Sequence, residues 1–192
     1  PSLMAMLKQA AGDRRIFLAA STHEGEDLSV IRAAQALGNE WFTLLAPRHP
    51  KRGDTIAALC QDQMPVAKAP TRRALGQTPV TGEVIHIVDT LGEMGSLFAI
   101  ADVVFLGGSL LPIGGHNPLE PVQFGLPVIC GPHLSKNQAE FDAIREIGGV
   151  TDIANGDELA DAVKAGILTD KEKQIRESAM KSYAERASKR PA

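Results

Sequence analysis

The sequence predicts an α/β fold in which a parallel sheet carries helices on both faces. Two observations favour this class. Short runs rich in Val, Ile, Leu and Phe alternate with amphipathic stretches of helical length, and the run Val103–Leu106 shows no polar alternation, as a strand buried on both faces requires. Hydrophobic residues make up 44% of the 192 residues and charged residues 22%, which is typical of a globular chain. We therefore expect a single domain spanning residues 1–192.

Six apolar runs are predicted to be strands, at residues 15–20, 41–46, 64–68, 84–88, 102–107 and 127–131. Amphipathic stretches predict helices at residues 26–37, 54–61, 93–101, 118–124, 137–147, 156–168 and 171–188. In the first helix Leu28, Ile31 and Ala34 share one face, and Gly38 ends it. The last helix lacks such a face, so we expect it to fray or to pack on a part outside this chain. Residues 68–83 hold two prolines and two glycines and predict a surface loop.

The global composition argues against several classes of function. A net charge of −3 provides no broad basic surface for nucleic acid. No charge-free apolar run reaches the roughly 18 residues of a transmembrane helix, and Cys60 and Cys130 lack the spacing of a metal site. Because the sequence begins at Pro1 rather than Met, we interpret it as part of a longer protein.

The most unusual loop, residues 107–121, is rich in glycine and follows the most buried strand. In open parallel sheets, ligands bind beyond the carboxyl ends of the strands, where helix N-termini point their N–H groups outward. Asn117 is suited to cap the next helix and Pro118 to be its first residue, which leaves N–H groups for a phosphate. The carboxylate of Glu120 is suited to two hydroxyl groups of a vicinal diol such as ribose. The alternative is an ordinary turn before a helix whose dipole Glu120 stabilises.

The loop after the first strand, residues 21–26, also combines polar and flexible residues. Ser21 or Thr22 is suited to cap the following helix while His23 faces a ligand. A plain capping arrangement that uses Glu24 or Glu26 explains much of the same pattern. The sequence of this loop therefore favours neither a ligand role nor a local structural role for His23.

Two more loops follow the second and fourth strands. Prolines limit the backbone around Arg48, which favours bidentate contact with a phosphate or carboxylate, although a solvated basic loop has the same composition. In residues 89–95, Gly92 has no side chain to shield its backbone, so its N–H is able to contact a base edge. An ordinary helix start has the same composition. After the sixth strand, His133 is a weaker candidate for the same cleft.

The run Gly-Gly-His-Asn-Pro-Leu-Glu-Pro at residues 114–121, with Gly-Leu-Pro-Val at 125–128 and Gly-Pro-His at 131–133, resembles the 3-deoxy-D-manno-octulosonic acid (Kdo) transferases of Gram-negative bacteria. Residues 21–26, 47–50 and 89–94 extend the resemblance over about residues 15–160. The family implies a GT-B glycosyltransferase with two Rossmann-like domains. This chain resembles the C-terminal, donor-binding half, so we expect the N-terminal acceptor domain to lie outside it.

The resemblance implies transfer of Kdo from CMP-Kdo to a lipid A precursor, in lipopolysaccharide biosynthesis at the cytoplasmic face of the inner membrane. It implies an inverting, metal-independent reaction with no cofactor beyond the donor substrate CMP-Kdo. The general base, the acceptor surface and the membrane contact would belong to the N-terminal domain. We therefore expect this chain to be soluble, to bind the donor weakly, and to contain no catalytic residue of its own.

The resemblance also implies which residues bind the donor. It places the CMP contacts at Pro47, Arg48, Gly92, Glu93, Met94, Asn117, Pro118, Leu119 and Glu120. In this assignment Glu120 holds the ribose, the helix start at Asn117 holds the phosphate, and Gly92 to Met94 lie at the cytosine. Further donor-binding candidates are Ser21, Thr22, His23, Gly115 and His116.

Two other functions remain open from the sequence. One is a GT-B domain for a UDP-sugar, such as an N-acetylglucosaminyl transferase or epimerase. The other is a non-catalytic nucleotide-binding module. Competition between CMP and UDP separates the first from Kdo transfer, and the presence or absence of a preceding domain bears on the second.

Overall fold

The computed structural model describes residues 2–65, 69–166, 174, 177–183 and 185. Its strands are β1 (Arg15–Thr22), β2 (Trp41–Pro47), β3 (Thr71–Arg72), β4 (Ile85–Ile87), β5 (Val103–Leu106), β6 (Val128–Cys130) and β7 (Val150–Asp152). They form a parallel sheet in the order β3-β4-β2-β1-β5-β6-β7. After β1, the chain forms β2, β3 and β4 on one side, with β4 inserted between β2 and the edge strand β3, and it then returns to β5 on the other side of β1. This reversal between β1 and β5 is where open α/β sheets form their ligand crevice.

Helices cover both faces of this sheet, as the sequence predicts. They are α1 (Leu3–Ala11), α2 (Asp27–Leu37), α3 (Gly53–Gln63), α4 (Met94–Phe98), α5 (Leu119–Gln123), α6 (Gln138–Glu146) and α7 (Leu159–Ala165). The buried side chains of α1, α4, α5 and α6 join one apolar cluster, and those of α2, α3 and α7 join another. The central strand β5 is buried along its whole length between the two clusters, which explains its unbroken apolar run.

Several predicted element bounds need correction. The strand predicted at residues 64–68 is not borne out at Met64, whose N–H closes α3 on the carbonyl of Cys60, and residues 66–68 lie outside the described part of the chain. The sequence misses α1, β7 and β3, and β3 falls inside the predicted loop 68–83. These strands have two or three residues each and mixed polarity, too short for a period-2 pattern to stand out.

The chain beyond α7 is described in part. The described residues between 174 and 185 are helical, as predicted, and Met180 is fully buried in the same apolar cluster as α1 and α6, with Tyr183 packed against it. The expectation that this helix lacks a packing surface within the chain is therefore wrong for these residues. The C-terminal ends of both predicted helices, 167–168 and 186–188, lie outside the described residues. Within the described ranges, no helix combines the length and apolarity needed to cross a bilayer.

The carboxyl ends of β1 and β5 leave no room for a side chain at Gly107. Gly107 donates its N–H to the carbonyl of Ala20 at 2.9 Å, and Ser21 adopts a left-handed conformation with φ 55° at a shift in the β1–β2 register. A Cβ on Gly107 would overlap the Ser21 carbonyl oxygen and lie 2.7 Å from its carbon. A glycine is therefore needed where β5 leaves the sheet, because only its bare backbone fits.

We expect Gly107→Ala to lower the free energy of unfolding by about 1–3 kcal/mol, the usual cost of an added methyl that forces backbone to move. Urea denaturation followed by circular dichroism measures this change. Gly95→Ala is a matched control, because a Cβ at this helical glycine meets no atom within 4 Å. A Gly107→Ala variant as stable as the wild type would contradict the close approach.

Candidate functional site

A cleft of about 210 Å³ opens at the carboxyl edge of the sheet, beside the reversal between β1 and β5. It lies among the ends of β1, β2 and β4 and the starts of α4 and α5. Seven of the residues predicted from sequence line it: Ser21, Pro47, Arg48, Gly92, Glu93, Met94 and Glu120. Loops that are far apart in the chain therefore converge on one site, because parallel strands present all their carboxyl ends at one edge.

The remaining predicted residues lie outside the lining of this cleft, within the ranges that the structure describes. They are Thr22, His23, Gly115, His116, Asn117, Pro118 and Leu119. Thr22 is fully buried, and its hydroxyl donates to the carboxylate of Asp27 at 2.8 Å. This hydrogen bond assigns the Thr22 side chain to the start of α2 rather than to the cleft surface.

Arg48 and Glu120 are both exposed at the cleft and carry opposite charges. The backbone N–H of Arg48 donates to the carbonyl of Thr22 at 2.9 Å, which fixes the end of β2 beside the end of β1. Glu120 lies in the first turn of α5. A cation and a carboxylate on one small cleft suit a ligand that combines a phosphate with a diol.

The start of α5 differs by one residue from the prediction. The helix begins at Leu119 rather than Pro118, and the side-chain oxygen of Asn117 accepts the N–H of Leu119 at 2.9 Å. The N-cap of α5 is Pro118, so the predicted cap at Asn117 is off by one residue, and Asn117 contacts the first helical N–H through an Asx turn instead. In this conformation the Leu119 N–H is engaged within the protein, so a phosphate at this position would have to displace Asn117.

Glu26 makes the local capping contact that the sequence left open, together with a set of long-range contacts that the sequence pattern misses. Its carboxylate is fully buried and accepts four backbone N–H groups at 2.8–3.1 Å, from His23 before α2 and from Gly108, Ser109 and Leu110 after β5. The contact with His23 has the three-residue spacing of a capping box. The other three link positions more than 80 residues apart, which no local pattern indicates.

This arrangement gives the start of the glycine-rich loop a structural role. The N–H groups of Gly108, Ser109 and Leu110 are not available to a ligand phosphate, because the carboxylate of Glu26 accepts hydrogen bonds from all three. An internal anion thus takes the position that a ligand phosphate takes in other sheets of this class. The neighbouring cleft offers an anion a different contact, the guanidinium of Arg48.

Three histidines cluster where the loops after β1, β2 and β5 meet. The Nε2 atoms of His23 and His116 lie 2.8 Å apart with their rings stacked, and His49 meets His23 edge-on at 5.9 Å between centroids. Burial and then the charge of His23 lower the pKa of His116 from 6.5 to about 4. Burial also lowers the pKa of His23, although Glu26 opposes this shift. The pair is therefore neutral at pH 7, with one ring donating to the other.

Metal coordination finds no support in the described side chains. Among them, no group of three or more His, Cys, Asp or Glu residues has the geometry to hold a metal ion. Both cysteines are buried, and burial raises the pKa of Cys60 to about 12, so that its thiol stays protonated.

The sequence is similar to several Kdo transferases. It is 37% identical to the 3-deoxy-D-manno-octulosonic acid transferase of Haemophilus influenzae over 179 residues, which is 91% of this chain and 40% of that protein. The enzyme of the same name from Rickettsia typhi is 34% identical over 175 residues, 88% of this chain and 37% of the relative. The chain thus spans less than half the length of these relatives. No protein-family model matches the sequence.

The fold is similar to a solved domain of the same group, the C-terminal CMP-Kdo binding domain of WaaA from Acinetobacter baumannii. The two match with a TM-score of 0.78 and 27% identity over 97% of this chain and 100% of that domain. This chain belongs to the Kdo transferase family. Its sheet has the fold of the C-terminal domain of a GT-B glycosyltransferase, as the sequence predicts. In that fold the cleft at the carboxyl edge is the expected nucleotide site.

We expect Glu26→Gln to destabilise this Kdo transferase domain by about 3 kcal/mol. Each hydrogen bond to a buried charged group contributes about 1.5–3 kcal/mol, and the amide of Gln would place its own NH₂ donor against backbone N–H donors. Urea denaturation provides the measurement. Glu24→Gln is the matched control, since Glu24 is exposed in the same loop. Equal stability of the Glu26→Gln and Glu24→Gln variants would contradict the assigned role of Glu26.

We expect the imidazole of His116 to titrate near pH 4 in the folded protein, because burial lowers its pKa, and near about pH 6.5 in the unfolded chain. Between these values the unfolded chain binds more protons than the folded protein. The free energy of unfolding therefore falls as the pH falls from about 6.5 towards 4. NMR titration of the His116 ring in buffer and in urea tests the shift. A midpoint near 6.5 in the folded protein would refute the neutral pair.

Proposed function

We propose that this chain is the donor-binding domain of a Kdo transferase and that it binds CMP-Kdo in the cleft among Arg48, Gly92 and Glu120. The observation that carries this proposal is the convergence of the predicted CMP residues on one cleft at the carboxyl edge of the sheet. Full-length similarity to a domain described as CMP-Kdo binding supports the choice of nucleotide sugar. Binding of a nucleotide and binding of its sugar are separable parts of this proposal.

The charges of the cleft suggest how the nucleotide lies in it. The phosphate contacts the guanidinium of Arg48, the exposed cation of the lining, while the ribose hydroxyls donate to Glu120. The cytosine then lies against the backbone of Gly92 and the side chain of Met94 at the far wall. Gly92 has φ +81° and no atom within 4 Å of a Cβ position, so its backbone presents an open surface for a flat base.

The histidine cluster lies outside the lining of the cleft but within the electrostatic reach of Arg48, whose charge lowers the pKa of His23 and of His116. His23 and His116 are held neutral by burial and by their cationic neighbours, which lowers the pKa of each. A bound phosphate or sugar carboxylate would favour their charged forms. In this proposal the leaving CMP phosphate is stabilised by Arg48 and by these imidazoles as its negative charge develops.

The whole enzyme would transfer Kdo from CMP-Kdo to a lipid A precursor, by one inverting displacement without a metal ion. A second domain would supply the general base that takes the proton of the acceptor hydroxyl. The same domain would contact the acceptor and the cytoplasmic face of the inner membrane. Within this chain, the proposed residues bind and orient the donor. Retained activity of the full-length enzyme in a chelator would support the metal-independent step.

We expect CMP to bind the chain in calorimetric titration, and Arg48→Ala or Glu120→Ala to weaken that binding by about tenfold to a hundredfold, because each removes a hydrogen bond to a charged group. Lys51→Ala is the matched control, an exposed cation of the same loop outside the cleft lining. Tighter binding of UMP or UDP than of CMP would favour a UDP-sugar enzyme. No binding of CMP at millimolar concentration would overturn the nucleotide assignment.

A further inference from the structure

Two adjacent arginines at the edge of the sheet, Arg72 and Arg73, reach into the wall of the cleft from a segment to which the proposed function gives no role. Arg72 ends β3 and is almost fully buried, and Arg73 begins the 3-10 helix that follows. They contact two acidic residues, Asp89 and Glu93, that flank the stretch 90–92 of the cleft lining. Each end of this stretch is therefore tied to the same short edge segment.

The first tie is a buried ion pair. The Nε and Nη2 atoms of Arg72 lie 2.9 and 2.7 Å from Oδ2 of Asp89, whose side chain is fully buried. The other oxygen of Asp89 accepts the N–H of Ala74 at 2.8 Å. Arg72 also contacts Asp54 in the first turn of α3. Both oxygens of Asp89 are thus held by the edge segment.

The absence of a side chain at Gly53 is part of this first tie. A Cβ there would overlap Oδ2 of Asp89 and Nη2 of Arg72. Gly53 begins α3, directly after the loop that carries Arg48. The ion pair therefore packs against the start of α3, which follows the loop of Arg48 on one side of the cleft. It also holds Asp89, which precedes the lining stretch 90–92 on the other side.

The second tie lies at the surface of the cleft. Arg73 donates from Nε and Nη2 to Glu93, with Nε 3.1 and 3.2 Å from the two carboxylate oxygens and Nη2 2.8 Å from Oε1. The hydroxyl of Thr90 donates to the same carboxylate. Burial acts to raise the pKa of Glu93, but the hydrogen bonds from Arg73 and Thr90 and the charge of Arg73 together outweigh it and lower the pKa. Both oxygens of Glu93 are engaged by the protein itself.

We infer that Arg72 and Arg73 are positioning residues of the nucleotide site, which fix the loop 89–93 through Asp89 and Glu93 and thereby set its selectivity for a cytosine base. Glu93 then acts through Arg73 and the shape of the loop, and the backbone around Gly92 is the surface that meets the base. This inference rests on the proposed function, because it concerns the base end of the same cleft.

The experiment uses Arg73 and Glu93, since their side chains are 31% and 22% exposed and their loss leaves the core intact. CMP and UMP are titrated against the wild type, Arg73→Gln, Glu93→Gln and the double variant. We expect each single change to weaken CMP binding by about tenfold, as a misplaced contact surface does, and to lower the CMP to UMP selectivity. The double variant should lose about tenfold as well, because the two changes break one interaction.

Arg145→Gln is the matched control, because the Arg145 side chain is as exposed as that of Arg73 and pairs with Asp152 at the opposite edge of the sheet. Arg73→Lys keeps the charge but loses the bidentate contact with Glu93, so its affinity for CMP should lie between those of Arg73→Gln and the wild type. CMP affinity and selectivity within twofold of the wild type in Arg73→Gln would overturn the inference while leaving the nucleotide site in place. A loss for Glu93→Gln that Arg73→Gln does not share would assign Glu93 a direct contact instead.

A second measurement needs no nucleotide. Hydrogen exchange of the amides in residues 90–94 should accelerate by about tenfold in Arg73→Gln and stay unchanged in Arg145→Gln, since local opening depends on the contacts that close it. Unchanged exchange in Arg73→Gln would overturn the positioning role whether or not CMP binds. Failure of the wild type to bind CMP, with accelerated exchange in the variant, would refute the proposed function and retain the structural tie.

Discussion

The carboxylate of Glu26 joins the two loops that leave the sheet on either side of its reversal. It accepts one N–H from the loop after β1 and three from the loop after β5, and it is fully buried. Without it, the backbone groups of Gly108 to Leu110 would need another anion or water, because buried N–H groups are costly to leave unpaired. The stacked rings of His23 and His116 join the same two loops, since each histidine belongs to one of them.

This internal anion decides where a ligand anion is able to bind. The start of the glycine-rich loop binds an internal carboxylate, whereas the cleft beside it presents separate groups: the guanidinium of Arg48, the carboxylate of Glu120 and the backbone around Gly92. The net charge of −3 is therefore no obstacle to binding an anionic nucleotide sugar. One phosphate needs a local cation and a few donors, whereas a polyanion needs an extended basic field.

The sequence predicts those parts of the molecule whose signals are local. The strand at Val103–Leu106 is recognisable because both of its faces are buried, and the cleft loops are recognisable because each follows such a strand with glycine and polar residues. The carboxyl-edge rule then brings Arg48, Gly92 and Glu120 together without further information. The start of α5 is predictable to within one residue: Asn117 lies just before the N-cap and forms an Asx turn in place of a side-chain cap.

The parts that the sequence does not predict depend on distant contacts. Glu26 meets Gly108 across 82 positions, and Arg72 meets Asp89 across 17, so neither partner is visible in a short window. Strand β3 has two residues and exists because it pairs with β4 and is fixed by Arg72. Buried polar residues of this kind need hydrogen-bond partners that tertiary packing supplies, so their roles cannot be predicted from the neighbouring residues in the sequence.

A crystal structure of the chain with bound CMP tests the central claim most directly. The account predicts the phosphate within hydrogen-bonding distance of Arg48, the ribose hydroxyls on Glu120, and the cytosine against the backbone of Gly92. It also predicts that Glu26 keeps its contacts with Gly108 to Leu110 in the complex. A phosphate bound to the N–H groups of that glycine loop, with Glu26 displaced, would contradict the account.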